Sequence, residues 1–138
     1  PEFGSKDIYG KKVTHSIFSE YALTMVNVWG TFCAHCIREM PTLEEIYQEM
    51  KGENINVIGL IGDAKGNEQI AKDIITKTKV TYTNLIPDEN IKNDFLKYIY
   101  AFPTTIFVDS EGKIIGEPII GAQDKQQYRK QIMRYLEP

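Results

Sequence analysis

The sequence predicts an α/β layer fold: a central mixed β-sheet flanked by helices, with a β-hairpin added at the N-terminus. Three observations predict it. Apolar, strand-like runs alternate with segments of helical period. One run, Ile55 to Ile61, is almost continuously apolar, as in a strand buried on both faces. The chain then closes with a hairpin and a helix, so the sheet must combine parallel and antiparallel pairs. At 138 residues it fits one domain with a sizeable core.

Taken in order, Asp7 to Val13 reads as a hairpin around Tyr9-Gly10, and Ile17 to Tyr21 as a short helical turn. Met25 to Trp29 is a strand. From Ala34 to Met50, Ile37, Met40, Leu43, Ile46 or Tyr47, and Met50 recur at the spacing of one helical face. Pro41 lies inside this helix, where it removes an N–H and should kink it, and Gly52 is placed to end it. After strand Ile55 to Ile61 and a Gly62 to Asn67 loop, Ile70, Ala71, Ile74 and Ile75 mark a helix from Asn67 to Lys77. Val80 to Ile86 reads as a strand and Asn90 to Ile99 as a short helix. Thr104 to Val108 and Ile114 to Ile120 form a hairpin through Asp109-Ser-Glu-Gly-Lys113. Asp124 is a natural N-cap for a last helix carrying Tyr128, Ile132 and Leu136 one turn apart.

A net charge of −3 and a pI near 5.4 argue against nucleic acid and against an anionic membrane surface. No stretch approaches the roughly 20 apolar residues of a membrane span, and no signal peptide is present. Pro1-Glu-Phe-Gly-Ser5 has the character of a cloning remnant, which leaves residues 6–138 as a single domain and leaves room for a native signal or anchor upstream of Lys6. Two cysteines cannot staple a disulfide scaffold, so the core must come from Ile, Val, Leu, Phe and Tyr.

Those two cysteines carry the chemistry. In Cys33-Ala34-His35-Cys36, a strand runs into the first cysteine and a helix begins directly after it. Backbone N–H groups and the helix dipole at that position favour an anion, and a thiolate is one. Cys36 lies one turn later on the same face, within reach of a mixed disulfide. The chemistry is thiol–disulfide exchange, with Cys33 the nucleophile and Cys36 the resolving thiol. A metal site would need about four ligands, and only His15 and His35 could join the cysteines. No metal or cofactor is expected.

With Trp29 four residues before Cys33, Pro41 five after Cys36, Phe102-Pro103-Thr104 opening the strand before the last hairpin, and Gly121-Ala122 after it, the chain resembles thioredoxin-fold proteins over roughly residues 7 to 136. Trp29-Gly-Thr-Phe-Cys33 and Ile37-Arg-Glu-Met-Pro41 resemble the TlpA/ResA-like branch of extracytoplasmic thiol–disulfide oxidoreductases most closely. The resemblance implies a monomer acting on protein thiols and disulfides outside the cytoplasm, fed by an upstream membrane electron donor, and leaves open a membrane anchor upstream of Lys6. Relatives reduce apocytochrome c, reactivate methionine sulfoxide reductases or serve other envelope proteins.

The resemblance also assigns roles. Pro103 stands where the family has its cis-proline, beside the cysteines, and Phe102 before it either lines a substrate groove or belongs to the core. Trp29 packs against the cysteine loop. The buried Asp of cytoplasmic thioredoxins falls at Asn27, which cannot move protons. Glu39, three residues after Cys36, matches a Glu of the ResA-like branch and is the expected proton acceptor for Cys36; burial would raise its pKa toward neutrality. His35 is similar to the His in this slot of strongly oxidising relatives of the DsbA type. Positively charged, it would stabilise the Cys33 thiolate and make the disulfide a better oxidant. The ResA-like frame and Glu39 therefore argue for a reductase, and His35 for an oxidant.

Two other readings compete. A thiol peroxidase of peroxiredoxin type would carry a Thr/Ser-x-x-Cys loop with a nearby Pro, but Thr31 is two residues before Cys33 and no such Pro precedes it. A redox-inert thioredoxin-like binding module would use the groove near Pro103 without the cysteines. Asp63, Asp88 and Glu89 read as solvated turn residues, and His15 as a surface residue.

Overall fold

A computed structural model describes residues 2–136 of the chain. Pro1 of the suggested remnant, and residues 137–138 at the end of the proposed domain, lie outside the described residues. Seven strands form one sheet: β1 (Gly4–Asp7), β2 (Lys12–Thr14), β3 (Leu23–Trp29), β4 (Ile55–Ile61), β5 (Asn84–Ile86), β6 (Thr104–Asp109) and β7 (Ile114–Ile120), in the order β2-β1-β5-β4-β3-β6-β7. β3, β4 and β5 run parallel, while β6, β7 and the β1–β2 hairpin pair antiparallel. The helices are α1 (Ala34–Met50), α2 (Glu68–Thr78), α3 (Glu89–Asp94) and α4 (Lys125–Leu136), with 3-10 turns at His15–Glu20, Lys51–Glu53 and Leu96–Tyr98. This is the mixed-sheet, thioredoxin-like fold with its N-terminal hairpin.

Every residue of β3 and β4 is buried, because each strand has a layer on both faces. Alternation divides β3. Leu23, Met25 and Trp29 join the cluster beneath α1, α2 and α4, built from Met40, Leu43, Ile46, Ala71, Ile75, Tyr128 and Ile132. Val26 and Val28 face the opposite layer with Phe18, Ile91 and Phe95. Asn27 shares the phase of Met25 and Trp29, and it pairs in register with Thr105 of β6. Two polar side chains thus stand in the middle of an apolar face, directly below α1 and α4.

The elements depart from the sequence reading at four places. The strand expected over Val80 to Ile86 is only Asn84–Ile86. Glu44 of α1 takes the N–H of Thr81 at 2.7 Å and its hydroxyl at 2.8 Å, so that backbone donor serves a side chain rather than a ladder. α3 stops at Asp94, where Phe95 caps the helix (φ −117°, ψ −53°) with its ring 6.4 Å from Phe18 and a 3-10 turn takes over. The left-handed residue after α1 is Asn54 (φ 70°), not Gly52, since a 3-10 turn extends the helix first. Finally, Phe3 and Ser5 are buried and β1 begins at Gly4, so the packed domain starts before Lys6.

Gly59 sits at the centre of the sheet, paired with both Asn27 and Asn84. A Cβ there would meet Asn84 Oδ1 at 2.0 Å and Trp29 Nε1 at 3.1 Å. Those two atoms form a buried hydrogen bond of 2.9 Å that fixes the Trp29 ring. Gly59→Ala is expected to lower stability by about 1–3 kcal/mol or more through overpacking and loss of this bond. Equilibrium urea unfolding checks it; an unchanged midpoint would count against the tight contact.

Candidate active site

The site begins where β3 ends. Trp29 Nε1 is held by Asn84, and the carbonyl of Trp29 accepts from Gly62 N at 2.7 Å. The chain then turns through Gly30-Thr31-Phe32, and Cys33 N bonds back to Gly30 O at 3.1 Å. Asp63, at the end of the neighbouring strand, grips this turn. It accepts from Thr31 N at 3.0 Å and from the Thr31 hydroxyl at 2.6 Å. The Asn67 side chain closes the second loop onto Asp63 O at 2.8 Å. Asp63 is therefore not a solvated turn residue, as the sequence reading had it; it is the clamp between the two loops at the carboxyl end of the parallel strands. Asp88 is also employed, capping α3 through Ile91 N at 2.8 Å and holding Gly4 N at 2.9 Å. Glu89 is exposed and pairs with Lys92, and His15 is exposed.

Cys33 is the N-cap of α1, with extended backbone (φ −98°, ψ 101°), and its sulfur accepts from Cys36 N at 3.2 Å. That contact aims the free N–H groups of the first turn at the sulfur. The two cysteines are joined in a disulfide, Cα to Cα 5.3 Å. Cys33 keeps 8% of its surface in solvent and Cys36 none, so an incoming thiolate meets Cys33 first.

His35 is exposed, and its Nδ1 lies 2.8 Å from Arg38 Nη2 one turn along. A guanidinium only donates, so Nδ1 is the acceptor in this contact. Arg38 thereby sets its guanidinium beside the His35 ring.

Glu39 points the other way, into the core, and is 4% exposed. Its Oε1 accepts from Asn27 Nδ2 at 3.1 Å; its Oε2 accepts from Gln123 N at 2.8 Å and from the Tyr128 hydroxyl in a short contact. Asn27 and Tyr128 both also meet the Thr105 hydroxyl, at 3.1 and 3.2 Å. Burial pushes the Glu39 carboxyl above the ordinary carboxylate range, and the three donors, Tyr128 foremost, pull it partly back. Three and four residues apart, Cys36, Glu39 and Met40 form the buried stripe of the first turns of α1.

Pro103 follows a cis peptide bond from Phe102, and its carbonyl accepts from Gly121 N at 2.8 Å. The Phe102 ring is partly buried. It packs against the two core clusters and also meets Phe32, whose ring is 72% exposed, at a centroid distance of 5.7 Å. Gly62 makes this possible, because a Cβ there would stand 2.4 Å from the Phe102 ring. Asn84 and Thr105 carry no signal in the sequence that singles them out, and Asp63 reads there only as a turn residue. Tyr128 was legible as a core position of α4, but its hydroxyl partner lies 89 residues away.

A family model described as AhpC/TSA matches residues 1–116. Thiol-disulfide oxidoreductase ResA of Bacillus cereus is 31% identical over 127 residues, covering 92% of this chain and 70% of that protein. Among solved structures, a thioredoxin-family thiol:disulfide interchange protein from Chlorobium tepidum superposes with a TM-score of 0.86 at 18% identity, over 99% of this chain and 94% of that one. StoA from Bacillus subtilis superposes at 0.75 and 20% identity, over 96% of both chains. The chain belongs to the AhpC/TSA family of thioredoxin-like proteins. Within it, the activity is thiol–disulfide oxidoreduction of the ResA type, and the Cys33–Cys36 pair forms a disulfide. None of its described helices is long and apolar enough to cross a membrane.

Two outcomes are expected. Asp63→Ala should cost about 1–3 kcal/mol, the loss of hydrogen bonds to a charged, half-buried group, and should slow disulfide exchange by loosening the Cys33 loop. Thermal unfolding and insulin-reduction assays check both effects. For Glu39, a carboxyl raised in the folded state binds its proton more tightly there than in the unfolded chain. Its contribution is therefore complete below the unfolded carboxylate value and is lost as pH rises through the folded one. Glu39→Gln should flatten this decline, so that its stability gains on the wild type from mildly acid to neutral pH. Denaturant midpoints measured across that range test the sign.

Proposed function

We propose that this domain reduces disulfides in protein substrates outside the cytoplasm. The reading is carried by the pairing of an N-cap cysteine, Cys33, with a buried carboxyl, Glu39, on the same helix as Cys36. In the reduced enzyme the Cys33 thiolate attacks a substrate disulfide, forming a mixed disulfide and releasing one substrate thiolate. Glu39 takes the proton of Cys36. The Cys36 sulfur then attacks Cys33, the Cys33–Cys36 bond forms, and the second substrate sulfur leaves with the electron pair and is protonated by solvent. The substrate gains two electrons and the enzyme becomes the disulfide seen here. An upstream dithiol donor must restore it.

Phe32 and Phe102 supply apolar surface beside Cys33 for the substrate chain, next to Pro103. His35, in contact with Arg38 through Nδ1, is the residue that argues for an oxidant, and the ResA-like frame and Glu39 are what argue for the reductase. The ResA relative supports thiol–disulfide oxidoreduction, and the ResA-like sequence frame supports protein substrates and an extracytoplasmic setting. The peroxidase reading loses ground, because the hydroxyl of Thr31 is committed to Asp63 at 2.6 Å.

The reduction potential of the Cys33–Cys36 couple, followed by Trp29 fluorescence in graded thiol/disulfide buffers, is expected near that of thioredoxin, about −270 mV. A value near about −120 mV would mark a disulfide donor and overturn the reductase reading. Cys36→Ser should accumulate mixed disulfides with protein substrates; their absence would favour the redox-inert binding module.

A further inference from the structure

We propose that Tyr128 and Thr105 form a hydroxyl relay that holds the Glu39 carboxyl in both of its protonation states, which makes Tyr128 the positioning residue for the proton that leaves Cys36. The proposal rests on the reading of Glu39 as the base for Cys36 and goes beyond it.

The argument is one of hydrogen-bond capacity. Glu39 has three partners: the Asn27 amide NH2, the Gln123 backbone N–H and the Tyr128 hydroxyl. All three can donate, so the ionised carboxylate is fully served. An NH2 and a backbone N–H cannot accept. With the Asn27 amide turned as it is here, its NH2 toward Glu39 and its Oδ1 unpartnered among the described residues, the new O–H that Glu39 gains from Cys36 has one acceptor among these partners, the oxygen of Tyr128. For that oxygen to accept, the tyrosine hydrogen must turn away from Glu39.

Its other contacts are the Gln123 backbone N–H, which can only donate, and Thr105 Oγ1, at 3.2 Å. Thr105 Oγ1 already receives Asn27 Nδ2 at 3.1 Å and retains a second lone pair. In the ionised state the hydrogens run from Thr105 to Tyr128 to Glu39. In the protonated state they run from Glu39 to Tyr128 to Thr105. The heavy atoms need not move. Asn27, Thr105 and Tyr128 are all fully buried, so solvent offers no substitute partner. The titratable groups facing Glu39 are Cys36 on its own helix, Tyr82 from the segment before β5, and Tyr128 from α4. Of the two tyrosines, Tyr128 is hydrogen-bonded to the carboxyl, while the buried hydroxyl of Tyr82 has no partner among the described residues.

The two hydroxyls favour opposite states, and that makes the relay testable. Tyr128→Phe removes the strong donor to the carboxylate and the weaker acceptor of the neutral acid. A charge-assisted bond outweighs a neutral one, so the proton affinity of Glu39 should rise. Thr105→Val leaves the Tyr128–Glu39 bond but strands the tyrosine hydrogen in the protonated state, so the affinity should fall.

The probe is 5,5′-dithiobis(2-nitrobenzoate) added to the reduced protein. Cys33 attack releases the first thionitrobenzoate, and Cys36 attack on the mixed disulfide releases the second, whose rate is read against pH. The expected result is an alkaline shift of the midpoint of about one unit in Tyr128→Phe, tenfold in rate below it, and an acid shift in Thr105→Val. Should either variant fail to fold, the direction of shift in the other still decides. If Glu39→Gln abolishes the pH dependence while neither hydroxyl variant moves the midpoint, or both move it the same way, the relay is overturned and Glu39 stands as the base. If Glu39→Gln leaves the profile unchanged, the base assignment itself fails, and the relay with it.

Discussion

The buried carboxyl of Glu39 is the contact on which the site depends. It gathers β3 through Asn27, α4 through Tyr128, and the loop before α4 through Gln123. Desolvating a carboxylate is costly unless donors surround it. The polar pair Asn27 and Thr105, set opposite each other in an otherwise apolar layer, answers that cost from below. Without it, Glu39 would have to turn outward, and α1 would lose the buried stripe that places Cys36 over the sheet.

A second constraint holds the outer cysteine. β3 ends beside β4, and the two loops that follow are locked together by Asp63, Thr31 and the Gly62–Trp29 backbone bond. Cys33 is thereby set at the head of α1 with little freedom of its own. Its sulfur already receives an N–H of the first helical turn, so stabilisation of the thiolate is built into the backbone. His35, two residues further on, is exposed and accepts a hydrogen bond from Arg38 at Nδ1.

Much of this was legible in the sequence. α1 begins and ends at Ala34 and Met50 as its apolar period requires, and β4 and β7 occupy the spans that their patterns mark. Where local pattern misled, a distant side chain had intervened. Val80 to Thr83 has strand composition, but Glu44 captures the backbone of Thr81. Asp63 follows a strand and looks like any turn carboxylate; its partner Thr31 is 32 residues away. Tyr128 reads as one more aromatic of an amphipathic helix because period reports which face is buried, not what a hydroxyl will find there.

The sequence by itself determined the layered α/β fold, the place of the cysteine pair at a strand-to-helix junction and hence its chemistry. These follow from periodicity and from the dipole of a helix end, both local properties of the chain. Only the tertiary structure decided which polar groups meet: Glu39 with Asn27, Tyr128 and Thr105, Thr31 with Asp63, and Phe102 over Gly62. Such meetings depend on the register of strands far apart in sequence and on the close approach that a missing Cβ permits, and neither leaves a mark in local pattern.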